Sequence, residues 1–289
     1  MRNTLKLAGA IALLFLGSDL FAQGGGVLSP GQMQDQLYLK ENAPNRRVIP
    51  YTYLREADVI WSKRIWRILD LREKMNLDMY YPVTPNANRR SLWDIVVASV
   101  KNKENKLTLY NVSPFDFDKS FTMPMTKTEA DTALMKIVTV VDSNGNSSNQ
   151  GQELTSQDIM QYMLKEDWFF DKQRSVMDVR ILGMCPYKKA TDQNGNEIAG
   201  STTIMFWIYF PQLRPIFANA EVFNVHNDAE RRTYEDIFWK RQFSSYIVQE
   251  SNVANRTISA YRKDPLDALL EAEKIKGDMF NLEHDMWQY

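Results

Sequence analysis

Cysteine is almost absent from this chain: its 289 residues include one, Cys185. No intrachain disulfide is open to it, so a chain of this length must be stabilised by buried apolar surface. Cys185 closes an apolar segment, "VRILGMC", with no histidine or evident base beside it, which predicts an inert, packed thiol. Histidine is equally scarce, with His226 and His284 alone, and too few soft ligands remain for a Cys/His zinc site. An excess of either charge is missing too. There are 35 basic and 36 acidic residues, a net charge of −1, whereas a dedicated nucleic-acid binder carries a basic excess. Beyond the N-terminus no apolar run approaches the ~20 residues of a membrane-spanning helix. The longest, "IMFWIYF" at 204–210, suits a central strand covered on both faces. No Gly-x-Ser-x-Gly, His-Glu-x-x-His, phosphate-binding loop or Gly-x-Gly-x-x-Gly occurs. The expectation is a protein without catalytic residues, cofactor, metal or nucleic-acid partner.

What is present begins with an export signal. Arg2 and Lys6 precede an apolar run at 7–16, and "SDLFAQGGG" offers cleavage after Ala22. No cysteine lies near that cut, so lipid attachment is not expected. Residues 23–50 hold four glycines and three prolines among scattered single hydrophobes, the composition of an extended arm. Such an arm is either a disordered leader or a strap ordered on a neighbouring chain, with Leu37, Tyr38 and Leu39 as its anchors.

"WSKRIWRILDLREK", residues 61–74, reads as a helix. Leu54, Ala57, Trp61, Ile65 and Ile68 share one face at 100° per residue, and Asp70 and Lys74 form an i,i+4 pair on another. Trp61 then belongs to the core. Trp66 lies off the stripe, and Trp and Arg dominate interfaces, so Trp66 with Arg64 or Arg67 is the candidate partner-docking site. The alternative is Trp66 buried under the protein's own second layer. The basic residues of this stretch are interrupted by Asp70 and Glu73, which excludes a phosphate-tracking face.

Three Ser/Thr-x-x-Asp-Ile stretches, at Ser91, Thr155 and Thr233, predict capped helix starts. "KLTLY", "MKIVTVVD", "SVMDVRIL" and "STTIMFWIYF" read as strands, the last two joined through an Asn-Gly hairpin turn. "NDAERRTYEDIFWKRQFSSYIVQE" reads as one helix, and "DPLDALLEAEKIKGDMFNLEHDMW" as another, with Asp264 as N-cap and Pro265 at its first position. "SNGNSSNQGQ" divides the chain. The fold class is α+β: helices packed on a mainly antiparallel sheet, bilobed (residues 51–150 and 151–289), with an extended N-terminal arm. Asp142, Asn144, Asn146, Ser148, Gln150 and Glu153 also fit an EF-hand-like register, though the bend position holds Ser147 where glycine is usual. A periplasmic calcium- or glycan-binding module is therefore the alternative function.

"READVIWSKRIWRILDLREKMN", "YYP", "SLWDIV" and "KEDWFFDKQRSVMDVRILG", in that order behind a signal-like start, resemble the GldN/PorN family of Bacteroidota. The resemblance implies a non-enzymatic periplasmic ring component of the type IX secretion and gliding machinery. It implies assembly with the outer-membrane lipoprotein GldK/PorK and with ring neighbours of its own kind, and a link to the periplasmic part of a GldM/PorM motor protein. It supplies no catalytic residues. The residues add a charge asymmetry. Positions 40–74 carry nine basic and five acidic residues (+4), and positions 264–289 two and seven (−5). Opposite charge at two ends suits a head-to-tail contact, and equally an internal packing of the two segments.

Overall fold

A computed structural model describes residues 45–286, apart from 86–88, 103–104, 106, 114–119, 142–146, 193–196, 225–226 and 228. The signal-like start and Leu37, Tyr38 and Leu39 lie outside the described residues. The elements in chain order are β1 (Val59–Asp70), α1 (Leu77–Tyr80), α2 (Leu92–Lys101), β2 (Leu109–Tyr110), α3 (Lys127–Ala133), β3 (Met135–Val141) and β4 (Ser147–Glu153). Then come β5 (Ile159–Asp171), β6 (Val176–Thr191), β7 (Glu197–Ile204), β8 (Trp207–Tyr209), α4 (Phe210–Phe217) and α5 (Tyr234–Trp239). The chain closes with β9 (Tyr246–Glu250), α6 (Ile258–Tyr261) and α7 (Pro265–Asp285). This is an α+β fold on an antiparallel sheet of order β2-β8-β6-β5-β1-β9, with β7 also on β6. β3 and β4 form a separate two-stranded ribbon. Residue 150, where two lobes were expected to meet, lies within β4, and the main sheet takes strands from both sides of it.

The expected helix at 61–74 is a strand. Val59, Ile60, Trp61, Ile65, Trp66 and Ile68 are β-branched or aromatic residues, which suit a pleated surface better than a helix. The i, i+4 spacing of Trp61 and Ile65 suits either period, whereas Ile68 falls on the other face of the strand, and the sheet buries both faces. β1 lies between β5 and β9, pairing Trp66 with Lys165 on one side and with Gln249 on the other. Both of its faces are covered, so from Ile65 to Asp70 every residue is buried regardless of parity.

Capping chemistry is set locally, whereas the element behind each cap is set by the sheet. Ser91 accepts a hydrogen bond from the Asp94 amide at the start of α2, and Thr233 from the Asp236 amide at α5. Thr155 forms the same reciprocal box with Asp158, but it closes one 3-10 turn before β5. The long helix expected through "FWKRQFSSYIVQE" stops at Trp239. Arg241 takes a positive φ of 52°, and "YIVQE" pairs with β1 as β9. The "IMFWIYF" run likewise divides between the end of β7, β8 and the start of α4, with Phe206, Trp207 and Ile208 fully buried. α7 starts as expected, the Asp264 side chain accepting from the Leu266 amide with Pro265 at the first position.

One face of the sheet presents Leu69, Tyr162, Leu164 and Met184 to α2, α4 and α5 through Trp93, Phe210, Phe217, Tyr234 and Phe238. Ile65 and Ile247 meet Ala272, Ile275 and Met279 of α7 in a second cluster. A third cluster gathers Trp66, Met163, Cys185, Tyr187 and Trp207, with Tyr110, Val112 and Phe121 against it. Cys185 is fully buried, and burial pushes its thiol far above the ordinary range, so it is the packed, inert group expected. Gly183 sits under Phe121. A Cβ there would come within 2.6 Å of the Phe121 ring and 3.1 Å of the Trp207 ring.

Candidate functional site

Residues 45–54 lie on the body as an irregular strap. The Arg46 amide donates to Asn219 Oδ1 (2.9 Å), and its guanidinium donates to Asp236 Oδ2 (2.9 Å) and to the Arg231 carbonyl (3.0 Å). Arg214 donates to the Ile49 carbonyl (2.8 Å) and Arg180 to the Thr52 carbonyl (2.6 Å). Between them the Tyr51 ring stacks on Trp239 at 5.6 Å, with the Arg214 guanidinium 4.1 Å and that of Arg180 5.2 Å from its centroid. Val48, Tyr51 and Leu54, every third residue, turn partly inward. Arg47, Ile49, Tyr53 and Arg55 are exposed. The end of the expected arm thus lies on its own chain.

Beneath the strap is a cleft of about 540 Å³ lined by Tyr51, Trp168, Met177, Arg214, Glu235 and Trp239 among others. Arg214 is buried and lies 2.6 Å from Glu235. Burial raises the Glu235 carboxyl, and the hydrogen bond and charge of Arg214 only partly oppose that. Burial is also the main cause of the raised Tyr51 hydroxyl. A second cleft of about 490 Å³ separates α7 from Arg67, Arg241 and Phe243. There the fully buried Glu166 accepts from Trp168 Nε1 (2.9 Å) and from Arg241 (3.1 Å). The second Arg241 nitrogen is 2.9 Å from the other carboxylate oxygen, close enough for charge attraction but not aligned as a hydrogen bond. Each carboxylate is thus charge-paired with an arginine, Glu235 with Arg214 and Glu166 with Arg241.

Of the proposed docking residues, Trp66 and Arg67 are buried, while the Arg64 side chain is 34% exposed. Trp66 is 1% exposed, inside the third core cluster, with the Lys165 ammonium 5.7 Å from its ring. Arg67 is buried and donates to the Ser245 hydroxyl (3.0 Å) and carbonyl (3.1 Å). Arg64 forms a two-point pair with Asp167 across β1 and β5, at 2.7 and 3.0 Å. Parity explains the correction: on a helix Trp66 stands apart from the stripe, whereas on a strand covered on both faces it is core.

Of the calcium register, Asp142, Asn144 and Asn146 lie outside the described residues, while Ser148, Gln150 and Glu153 belong to β4. Glu153 pairs with Lys101 at 2.6 Å. Among the described residues no group of three His, Cys, Asp or Glu is placed to hold a metal, and no helix is long and apolar enough to cross a membrane.

Sequence reasoning missed an exposed apolar stripe on α7. Leu266, Leu269, Leu270 and Phe280 are 52–70% exposed. They fall on one face at helical spacing, opposite the buried Ala272, Ile275 and Met279. A wheel of "PLDALLEAEKIKGDMF" would have found it, because this helix is apolar on two sides.

The chain matches the family described as gliding motility associated protein GldN over residues 54–288. No curated protein matches it.

Proposed function

The chain belongs to the GldN family, gliding motility associated proteins, and from that premise we propose that it is a non-enzymatic structural subunit of a periplasmic ring. In this reading the ring belongs to the type IX secretion and gliding machinery. It lies against the outer membrane with a GldK/PorK-like lipoprotein, contacts further copies of itself, and meets the periplasmic part of a GldM/PorM-like motor. The carrying observation is the family match across nearly all of the folded body. Two features support it. The start has the pattern of an export signal, and α7 exposes a row of large apolar side chains, which a chain that works alone in water rarely does.

The test is coexpression with the neighbouring lipoprotein and negative-stain microscopy of the purified material. Large closed particles containing both chains are the expected result. A protein that stays monomeric beside a folded lipoprotein, at every concentration tried, would refute the ring.

A further inference from the structure

Arg67 carries a charge that the fold leaves over. It lines the cleft under α7 from the sheet side and is 9% exposed. Its Nε and Nη2 both donate to Ser245, a neutral residue, and Nη1 has no acceptor among the described residues. Of the acids that act on it, Glu166 is already held by Arg241 and by Trp168 Nε1. The other, Glu273, is drawn to Lys276 at 3.4 Å, with its side chain 72% exposed. Glu283 also lines the cleft and forms no ion pair with Arg67 among the described residues. Two guanidiniums thus share one buried carboxylate. Burial draws the Arg67 guanidinium below its ordinary value, and the pull of Glu166 and Glu273 offsets that only in part. A buried charge is costly unless it is paired.

The opposite wall leaves room for a counter-charge. Gly277 sits within α7, where glycine weakens a helix relative to alanine. No close packing requires it, since a Cβ there would meet no atom within 4 Å. What the missing side chain leaves is space in the cleft, about 490 Å³, a volume that suits a small ligand. Trp168, Met177, Phe243, Met279 and Phe280 give that space an apolar lining.

We propose that this cleft binds a carboxylate carried on an apolar body. Arg67 Nη1 donates to the carboxylate, and the apolar body lies between Phe243 and Phe280 in the room that Gly277 leaves. A carboxylate matches one surplus positive charge, whereas a phosphate dianion would set a second negative charge beside Glu166, Glu273 and Glu283. A wholly apolar ligand would seal Nη1 from water without an acceptor. A free amphiphilic acid and an acidic side chain among large apolar residues of a partner offer the same chemistry. The cleft belongs to the single chain, so its test is independent of the ring.

The purified protein is titrated calorimetrically with decanoate, decanol and acetate. It is also titrated with a capped pentapeptide holding one glutamate among leucines and phenylalanines, and with the glutamine counterpart. Decanoate or the glutamate peptide should bind at least tenfold more tightly than its neutral counterpart and than acetate. The tighter of the two names the source, a free acid or a partner's side chain. Gly277→Trp fills the cleft from its open side and should abolish that binding while the protein still melts cooperatively. Arg67→Met should erase the preference for the carboxylate; if that variant does not fold, the neutral counterparts and Gly277→Trp decide alone. No preference for the carboxylate in the unmodified protein, whether both probes bind equally or neither binds, overturns the site. Carboxylate binding that survives Gly277→Trp overturns it too. So does binding that appears only after Glu273→Gln with Glu283→Gln, because the helix's own acids then supply the counter-charge.

Discussion

Trp66 shows how one side chain's environment can be inverted by the period of its element. Its ring fills space between Met163, Cys185 and Trp207. Trp66→Ala should therefore lower stability by about 3–5 kcal/mol in urea unfolding, the range for emptying a buried aromatic site. Gly183→Val should also destabilise, since its Cβ alone would press on Phe121 and Trp207. A melt unchanged by either substitution would place these residues outside the core. Cys185 was legible from its neighbours because inertness follows from local apolarity. Trp66 was not, because its burial depends on β5 and β9, far away in sequence.

Acid sensitivity is also a residue-scale property. Asp70 is pulled up by burial, but hydrogen bonds from Arg72 and Gln161 outweigh that and hold its carboxyl below the usual range. At Asp158 burial is likewise outweighed, by bonds from Lys136 and from the amide and hydroxyl of Thr155. Depressed folded values mean that this stability is present above the unfolded carboxyl pKa, about 3.9, and is lost as pH falls through the lower folded values. Glu235, raised by burial, works in the opposite sense: ionising it erodes stability as pH rises from the unfolded value through the folded one. Melting temperature should drop as pH falls below about 4, and Asp158→Asn should flatten part of that drop. A profile unchanged by Asp158→Asn would refute the assignment.

At the scale of elements, the strap is held to the body largely by side chains. Its anchors are the Tyr51 stack, the two arginines around that ring and the Arg46 fork. A cation over a tyrosine face contributes about 0.5–1 kcal/mol when exposed and about 2 when desolvated. Tyr51→Ala should accordingly increase hydrogen exchange and protease cleavage at 45–54, while β1 and β5 keep their protection. Protection lost uniformly across the sheet would show instead that the strap is part of the cooperative core. The elements legible in sequence were those whose signals are local: the Asp264–Pro265 start of α7, the Ser91 and Thr233 caps, the β6–β7 hairpin. β1 was misread as helix because a strand buried on both faces carries no clean alternation, and β9 because only its pairing with β1 sets it apart from the helix before it. The site was less legible still. Arg46, Tyr51, Arg214 and Trp239 meet from three separate stretches, and no spacing rule connects them.

For the whole molecule, the proposal of export makes the first 22 residues removable. N-terminal sequencing of protein recovered from cells should begin near Gln23. Intact Met1 in an inner-membrane fraction would sink it. Because Cys185 is single and buried, the melt should be indifferent to reductant, and a shift would point to cross-links between chains.

The placement of β1 has a consequence in time. A polypeptide that emerges N-terminus first delivers this strand early, yet its neighbours are β5, from the middle of the chain, and β9, close to the end. Until both arrive, a ribbon bearing Trp61, Ile65, Trp66 and Ile68 has open edges and nothing to pair with. Closing such distant pairings is slow, and unpaired apolar strands are the segments that aggregate while they wait. Birth order and spatial order are at odds in this protein. The sheet can close around its first strand only once the last has arrived.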